Sequence, residues 1–244
     1  MKAFNFINIF LFITGYECPT LESGKLYLYG MRFCPYVNRV RLVLSAMNIE
    51  HEMININLNN KPEWFLEKSA SGKVPLLEQD GKCISESLDI IEYLNDMYPE
   101  NQLCPFPGRE TDHEKELMNI AGELISPCLK YLKGVISTNE FWNIVNVLLD
   151  KYDYELNNRK TKFFGGEKPL ILDYVLWPSV EYILALLIAK PDLGSFPKSK
   201  YLKIMKWIDN MTEDSIIKKT CLDRKLIAAF HQTFDENPDF DIGL

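Results

Sequence analysis

A change of hydrophobic period near residue 100 constrains this chain more than any other feature. Before it, runs of strand length alternate with helical stretches. Residues 26–29 are a short apolar run that Gly30 breaks. Val37, Val40, Val43, Leu44 and Met47 then share one helix face, with Pro35 suited to the first helical position. Ile54, Ile56 and Leu58 alternate over a second strand at 53–58. A short helix at 61–68 and a third strand at 74–77 follow. Gln79-Asp80-Gly81-Lys82 reads as a tight hairpin leading to a fourth strand at 83–85. Leu88, Ile91, Tyr93 and Leu94 mark a helix that ends before Pro99. Residues 99–108 hold Pro99, Pro105, Pro107 and Gly108 and read as a linker. Beyond them only the helical period recurs, over 110–132, 140–156, 170–188, 201–211 and 221–234.

Strand, helix and strand in so short a span form a parallel βαβ unit. The full order, βαβαββα, is the thioredoxin-like arrangement. The sequence thus predicts an α/β thioredoxin-like domain at 26–98, a linker at 99–108 and an all-α domain at 109–244, after an N-terminal extension at 1–25. With 244 residues, 47 % of them hydrophobic, the chain can bury a core without covalent staples. A net charge of −7 argues against a nucleic-acid partner. The six cysteines form no C-x-x-C pair and have no histidine at ligand spacing, which argues against a metal site or a disulfide framework and fits a reducing, cytoplasmic setting. Residues 3–14 are largely apolar, but Asn5 and Asn8 interrupt them. They fit an arm packed on the fold or a secretory signal, and are too short and interrupted to span a membrane. No other stretch reads as a span.

The chemistry concentrates at Arg32-Phe33-Cys34-Pro35-Tyr36-Val37. A cysteine between a strand and a helix sits at the helix N-terminus, where unpaired N–H groups favour an anion. That predicts a thiol pKa at least about one below the ~8.5 of a free thiol, and so a nucleophilic thiolate. Dithiol oxidoreductases carry a second cysteine three residues on; here that residue is Val37. A mixed disulfide on Cys34 must therefore be resolved by an outside thiol, and the abundant small one is glutathione. The competing reading is a buried structural cysteine.

Three further motifs suit the groups of glutathione. A cis proline at Val74-Pro75 would leave the Val74 backbone free to pair with a peptide. Glu86 can pair with an ammonium, and Ser87 with the following helix N-terminus can hold a carboxylate. Lys61 can bind the other carboxylate. Singly, each has an ordinary reading as turn, helix cap or solvated surface; their order behind a Cys-Pro helix is what points to a site.

These residues carry a resemblance. Arg32-Phe33-Cys34-Pro35-Tyr36, Lys61-Pro62-Glu63-Trp64, Val74-Pro75-Leu76-Leu77 and Ser85-Glu86-Ser87 resemble the omega class of glutathione transferases. Phe163-Phe164-Gly165-Gly166 with Asp173-Tyr174 and Trp177-Pro178 is similar to the helical-domain signature of that class, as is the tail from Pro238 to Leu244. The resemblance implies Cys34 as catalytic nucleophile, Lys61, Val74, Glu86 and Ser87 as glutathione contacts, and Pro35 and Tyr36 at an acceptor site. It also implies a homodimer, glutathione as co-substrate, no metal, and thioltransferase and dehydroascorbate reductase activity with weak conjugation. Phe230 and Phe234 are placed either at the acceptor site or in the core.

Two positions depart from the class. Asn38 stands where an acidic or longer amide residue is usual. Leu170, after Pro169, replaces the hydroxyl N-cap of the long apolar helix, so that cap is about 1 kcal/mol weaker and Leu170→Ser should raise stability. Asp173 can still accept from the Leu170 N–H. Three other functions fit the fold: a transferase conjugating electrophiles through activated glutathione, pigment biosynthesis, and a non-catalytic interaction module.

Overall fold

The computed structural model describes residues 17–103, 112–235, 238–240 and 242. The arm-or-signal stretch at 3–14 and the latter part of the expected linker lie outside the described residues.

The first part follows the period of the sequence. Strand β1 (Tyr27–Gly30), helix α1 (Pro35–Ala46), β2 (Glu52–Asn55), α2 (Glu63–Lys68), β3 (Leu76–Gln79), β4 (Lys82–Ser85) and α3 (Ser87–Met97) come in the expected order. The sheet order is β2-β1-β3-β4. β1 runs parallel to β2 and antiparallel to β3, which is antiparallel to β4. Asp80 and Gly81 both take positive φ in the two-residue hairpin turn between β3 and β4. β3 starts two residues later than expected, because Pro75 has no N–H to give the ladder. The Val74-Pro75 bond is cis, as the sequence suggested.

Alternation along the strands divides the core. Tyr27, Tyr29, Ile54 and Leu76 face Phe65 of α2 on one side of the sheet. Leu28 and Leu77 face the other side, where α1, α3 and the helical half meet in a single larger core. Tyr29 Oη donates to Glu78 at 2.5 Å and Lys68 Nζ donates to the same carboxylate at 2.9 Å. These bonds fasten α2 and β1 to β3.

After a 3-10 turn at Pro99–Asn101 the described chain is helical: α4 (Asp112–Glu123), α5 (Ile125–Leu132), α6 (Thr138–Arg159), α7 (Ile171–Ala189), α8 (Leu202–Glu213), α9 (Ser215–Thr220) and α10 (Arg224–Gln232). The single helix expected over 110–132 is two. Pro127 cannot donate to the Glu123 carbonyl, and the chain breaks at Leu124. Helix α9 was not legible as a helical period because it is only six residues long; Asp214 caps it by accepting from the Ile216 and Ile217 N–H groups at 3.0 Å.

Helix α7 corrects the reading that no other segment could span a membrane. Its length and apolar composition suffice, but 83 % of the qualifying window is buried inside the protein. It is the central helix, apolar on nearly every side because it is covered on nearly every side. Its N-terminus is organised by Asp173, which is 0 % exposed and accepts from the N–H groups of Phe164, Gly165 and Leu170 and from Trp207 Nε1, at 2.8–3.0 Å. The Leu170 side chain forms no cap, as its chemistry requires.

Candidate active site

Topology gathers the predicted residues before any side chain is considered. β1 and β4 run the same way, so their C-terminal ends lie at one edge of the sheet, and β3 begins there. The register Tyr29↔Leu76↔Ser85 places Phe33-Cys34, Val74-Pro75 and Glu86-Ser87 just beyond three adjacent strand ends. The loop after β2, which carries Lys61, leaves from the same edge, since Asn55 is paired with Gly30.

Cys34 is the N-cap residue of α1, and Pro35 is its first helical residue. Cys34 is 8 % exposed. Burial pushes its thiol above the usual range, while the Tyr36 and Val37 N–H groups and the Arg39 guanidinium pull the other way. The expected lowered thiol is therefore not found in this structure. The helix terminus acts with the expected sign, but the loss of water around the sulfur outweighs it.

Helix α3 also lacks a side-chain cap. Glu86 stands at its N-cap position, exposed, with φ 65° and ψ 127°, a conformation costly for a residue with a Cβ. Ser87 is buried and is the first helical residue rather than the cap. Two uncapped helix N-termini thus face one edge of the sheet, an arrangement suited to anionic groups. Among the described residues, no backbone group bonds the Val74 N–H or carbonyl. Lys61 is half-buried and its ammonium lies 3.6 Å from where a Cβ on Gly72 would stand. Gly72 has φ +61°, so a side chain there would be strained, and its Cβ would stand 3.2 Å from Leu66 Cδ2.

Tyr36 turns towards the helical half. Its hydroxyl donates to the Gly122 carbonyl at 3.2 Å, and its ring lies 5.0 Å from the Arg39 guanidinium. Asn38 accepts from Arg41 Nη1 at 2.9 Å, and Arg41 Nη2 donates to the Thr220 carbonyl. The departure at Asn38 is thus absorbed within α1. Phe33 stacks on Phe230 at 4.4 Å and 7°, and Phe230 meets Phe234 edge-on and Phe240 at 5.6 Å. Phe230 is buried core next to the cysteine. Asn59 Nδ2 donates to the Pro238 carbonyl, which ties the tail to the loop before Lys61.

Sequence reasoning missed Arg39. It is 2 % exposed and reaches across to Val175 and Ser179, more than 130 residues away. The available signal was an arginine beside Val40, on a helix that carries Val37, Val40, Val43 and Leu44.

Comparison with known proteins adds the relationship. Residues 28–102 match the family described as glutathione S-transferase, N-terminal domain. The chain is 37 % identical over 216 residues to a pyrimidodiazepine synthase of Drosophila melanogaster, covering 87 % of each chain. It is 36 % identical over 238 residues to glutathione S-transferase omega-2 of Homo sapiens, covering 92 % of each. Among solved structures, a dehydroascorbate reductase of Chlamydomonas reinhardtii superposes with a TM-score of 0.69 at 21 % identity, over 85 % of this chain and 97 % of that one.

Proposed function

The chain belongs to the omega class of the glutathione transferases, and on that premise we propose that it is a glutathione-dependent thioltransferase and dehydroascorbate reductase with Cys34 as its nucleophile. The observation that carries this reading is Cys34 at the uncapped N-terminus of α1, with Val37 where a resolving cysteine would stand. Glutathione is the co-substrate, with Lys61, Val74, Glu86 and Ser87 as its contacts and Pro35 and Tyr36 bordering the acceptor.

The Cys34 thiolate attacks the glutathionyl sulfur of a mixed disulfide. The Cys34–glutathione bond forms, the old S–S bond breaks, and the substrate thiolate leaves and takes a proton. A second glutathione thiolate then attacks the glutathionyl sulfur held on Cys34. This releases glutathione disulfide and returns the electron pair to Cys34. With dehydroascorbate as acceptor, two glutathiones oxidised to one disulfide supply the two electrons. A homodimer in a reducing compartment is part of the same proposal.

The test is intact mass after incubation with oxidised glutathione. Wild type should gain one glutathione at Cys34, reversed by reduced glutathione and absent in Cys34→Ala. An adduct that survives the substitution, or none in wild type, would sink the reading and favour conjugation by activated glutathione. The identity to a protein named pyrimidodiazepine synthase supports a second reading, glutathione-dependent formation of that ring system. Assay of each acceptor separates the two readings.

A further inference from the structure

Pro238, Asp239 and Phe240 touch two parts of the candidate site at once. Thr233 Oγ1 donates to the Phe230 carbonyl at 2.7 Å and accepts from the Asp239 N–H at 2.9 Å, so the tail folds back on the end of α10. Phe240 is buried with its ring 5.6 Å from that of Phe230, which stacks on Phe33, the neighbour of Cys34. The Pro238 carbonyl accepts from Asn59 Nδ2 at 3.0 Å, across 179 positions of sequence. One short segment thus packs on the aromatic pair beside Cys34 and bonds the loop that carries Lys61.

That loop is a turn whose internal bonds leave it unattached. The Asn59 N–H donates to Asn57 Oδ1 at 2.9 Å and the Asn60 N–H to the Asn57 carbonyl at 3.2 Å. Leu58 before the turn and Phe65 after it pack into the core. Between them, the bond from Asn59 to the tail holds the turn to the body of the protein. Lys61 comes two residues later and bonds no carboxylate among the described residues. With no such partner to fix its ammonium, its place depends on the backbone that presents it.

Glutathione carries its ammonium and one carboxylate on the same glutamyl carbon and the other carboxylate on its glycine. Glu86 and Ser87 are adjacent and suit the glutamyl pair, which leaves the glycyl carboxylate for Lys61. We propose that Asn59 is a positioning residue: bonded to the tail at Pro238, it holds Lys61 at the glycyl carboxylate and so sets the preference for a tripeptide ending in a free acid. This rests on the reading of Lys61 as a glutathione contact. An ammonium already in place loses less freedom when the carboxylate arrives, so binding is tighter.

The test is the dissociation constant of reduced glutathione and of its glycyl monoethyl ester, by isothermal titration calorimetry, in wild type, Asn59→Ala, Phe240→Ala and Lys61→Ala. The ester is uncharged where Lys61 would bind. Wild type should prefer the acid about tenfold, and Lys61→Ala should bring the ratio near one. Asn59→Ala should lower it to about threefold or less by weakening the acid, with the ester changed by less than about twofold. Phe240→Ala leaves Asn59 in place but frees the tail, and should lower the ratio likewise. If it does not fold, Phe240→Leu takes its place. A wild-type ratio in Asn59→Ala or in the Phe240 variant overturns the proposal. So does equal weakening of acid and ester, which would mark a general structural loss. Lys61→Ala is read separately. If it keeps the wild-type preference, or if wild type has none, the reading of Lys61 fails. If it loses the preference while Asn59→Ala keeps it, only the role of Asn59 is removed.

Discussion

Glu86 holds a backbone conformation that a side chain disfavours, at a position where glycine would be relaxed. Residues in sparsely populated φ/ψ regions cost about 1–3 kcal/mol and persist where the surroundings impose them. Glu86→Gly is therefore expected to raise the melting temperature while raising the KM for glutathione, because the carboxylate proposed for the ammonium is lost. Equal KM values for the two proteins would remove Glu86 from the site. Asp173 is the opposite case, a residue whose cost lies in its removal. Asp173→Ala leaves three backbone N–H groups and the Trp207 indole without their acceptor in a dry interior. The expected loss is about 3–5 kcal/mol, read from the urea midpoint.

Helix α7 shows how a sequence argument changes once packing is known. From the sequence, Leu170→Ser adds a missing cap and should stabilise by about 1 kcal/mol. In the structure Leu170 is half-buried and lies over Gly165, where a Cβ would stand 2.5 Å from Leu170 Cγ. Removing half-buried leucine surface costs about 1 kcal/mol. The two effects offset, and urea unfolding of Leu170→Ser should agree with wild type within about 0.5 kcal/mol. The same contact explains Gly165, since no side chain fits there without moving Leu170. Helix α1 makes a related point. Its apolar face was legible, but Tyr36, Arg39 and Arg41 were not legible as bridges, because Gly122, Val175, Ser179 and Thr220 come from distant parts of the chain.

At the scale of the whole molecule, His231 is a strongly pH-sensitive group of the shared core. His231 is 0 % exposed, packed edge-on against Tyr182 at 4.2 Å, and burial lowers its pKa to about 3. In the unfolded chain a histidine titrates near 6.5. The unfolded state thus binds the proton first, so this stabilisation is complete above pH 6.5 and is lost as pH falls from 6.5 towards 3. Between pH 7 and 4.5 that is about 2–3 kcal/mol. His231→Phe should show a shallower fall in urea midpoint over that range than wild type. Parallel falls would mean that other groups carry the acid sensitivity.

By itself the sequence determined the order of elements up to α3, the place of Cys34 between strand and helix, and the absence of a resolving partner at Val37. These depend on local period, turn chemistry and spacing, which neighbouring residues decide among themselves. Tertiary structure decided what depends on distant neighbours and on water. It made α7 an interior helix despite its membrane-like composition, since burial is a property of what surrounds a helix. It set the Cys34 thiol higher than its helix position implied, because desolvation is felt only once the other half packs over it. It also brought Arg39 to bonds with Val175 and Ser179, since contacts between such distant parts of a chain arise only when the fold closes.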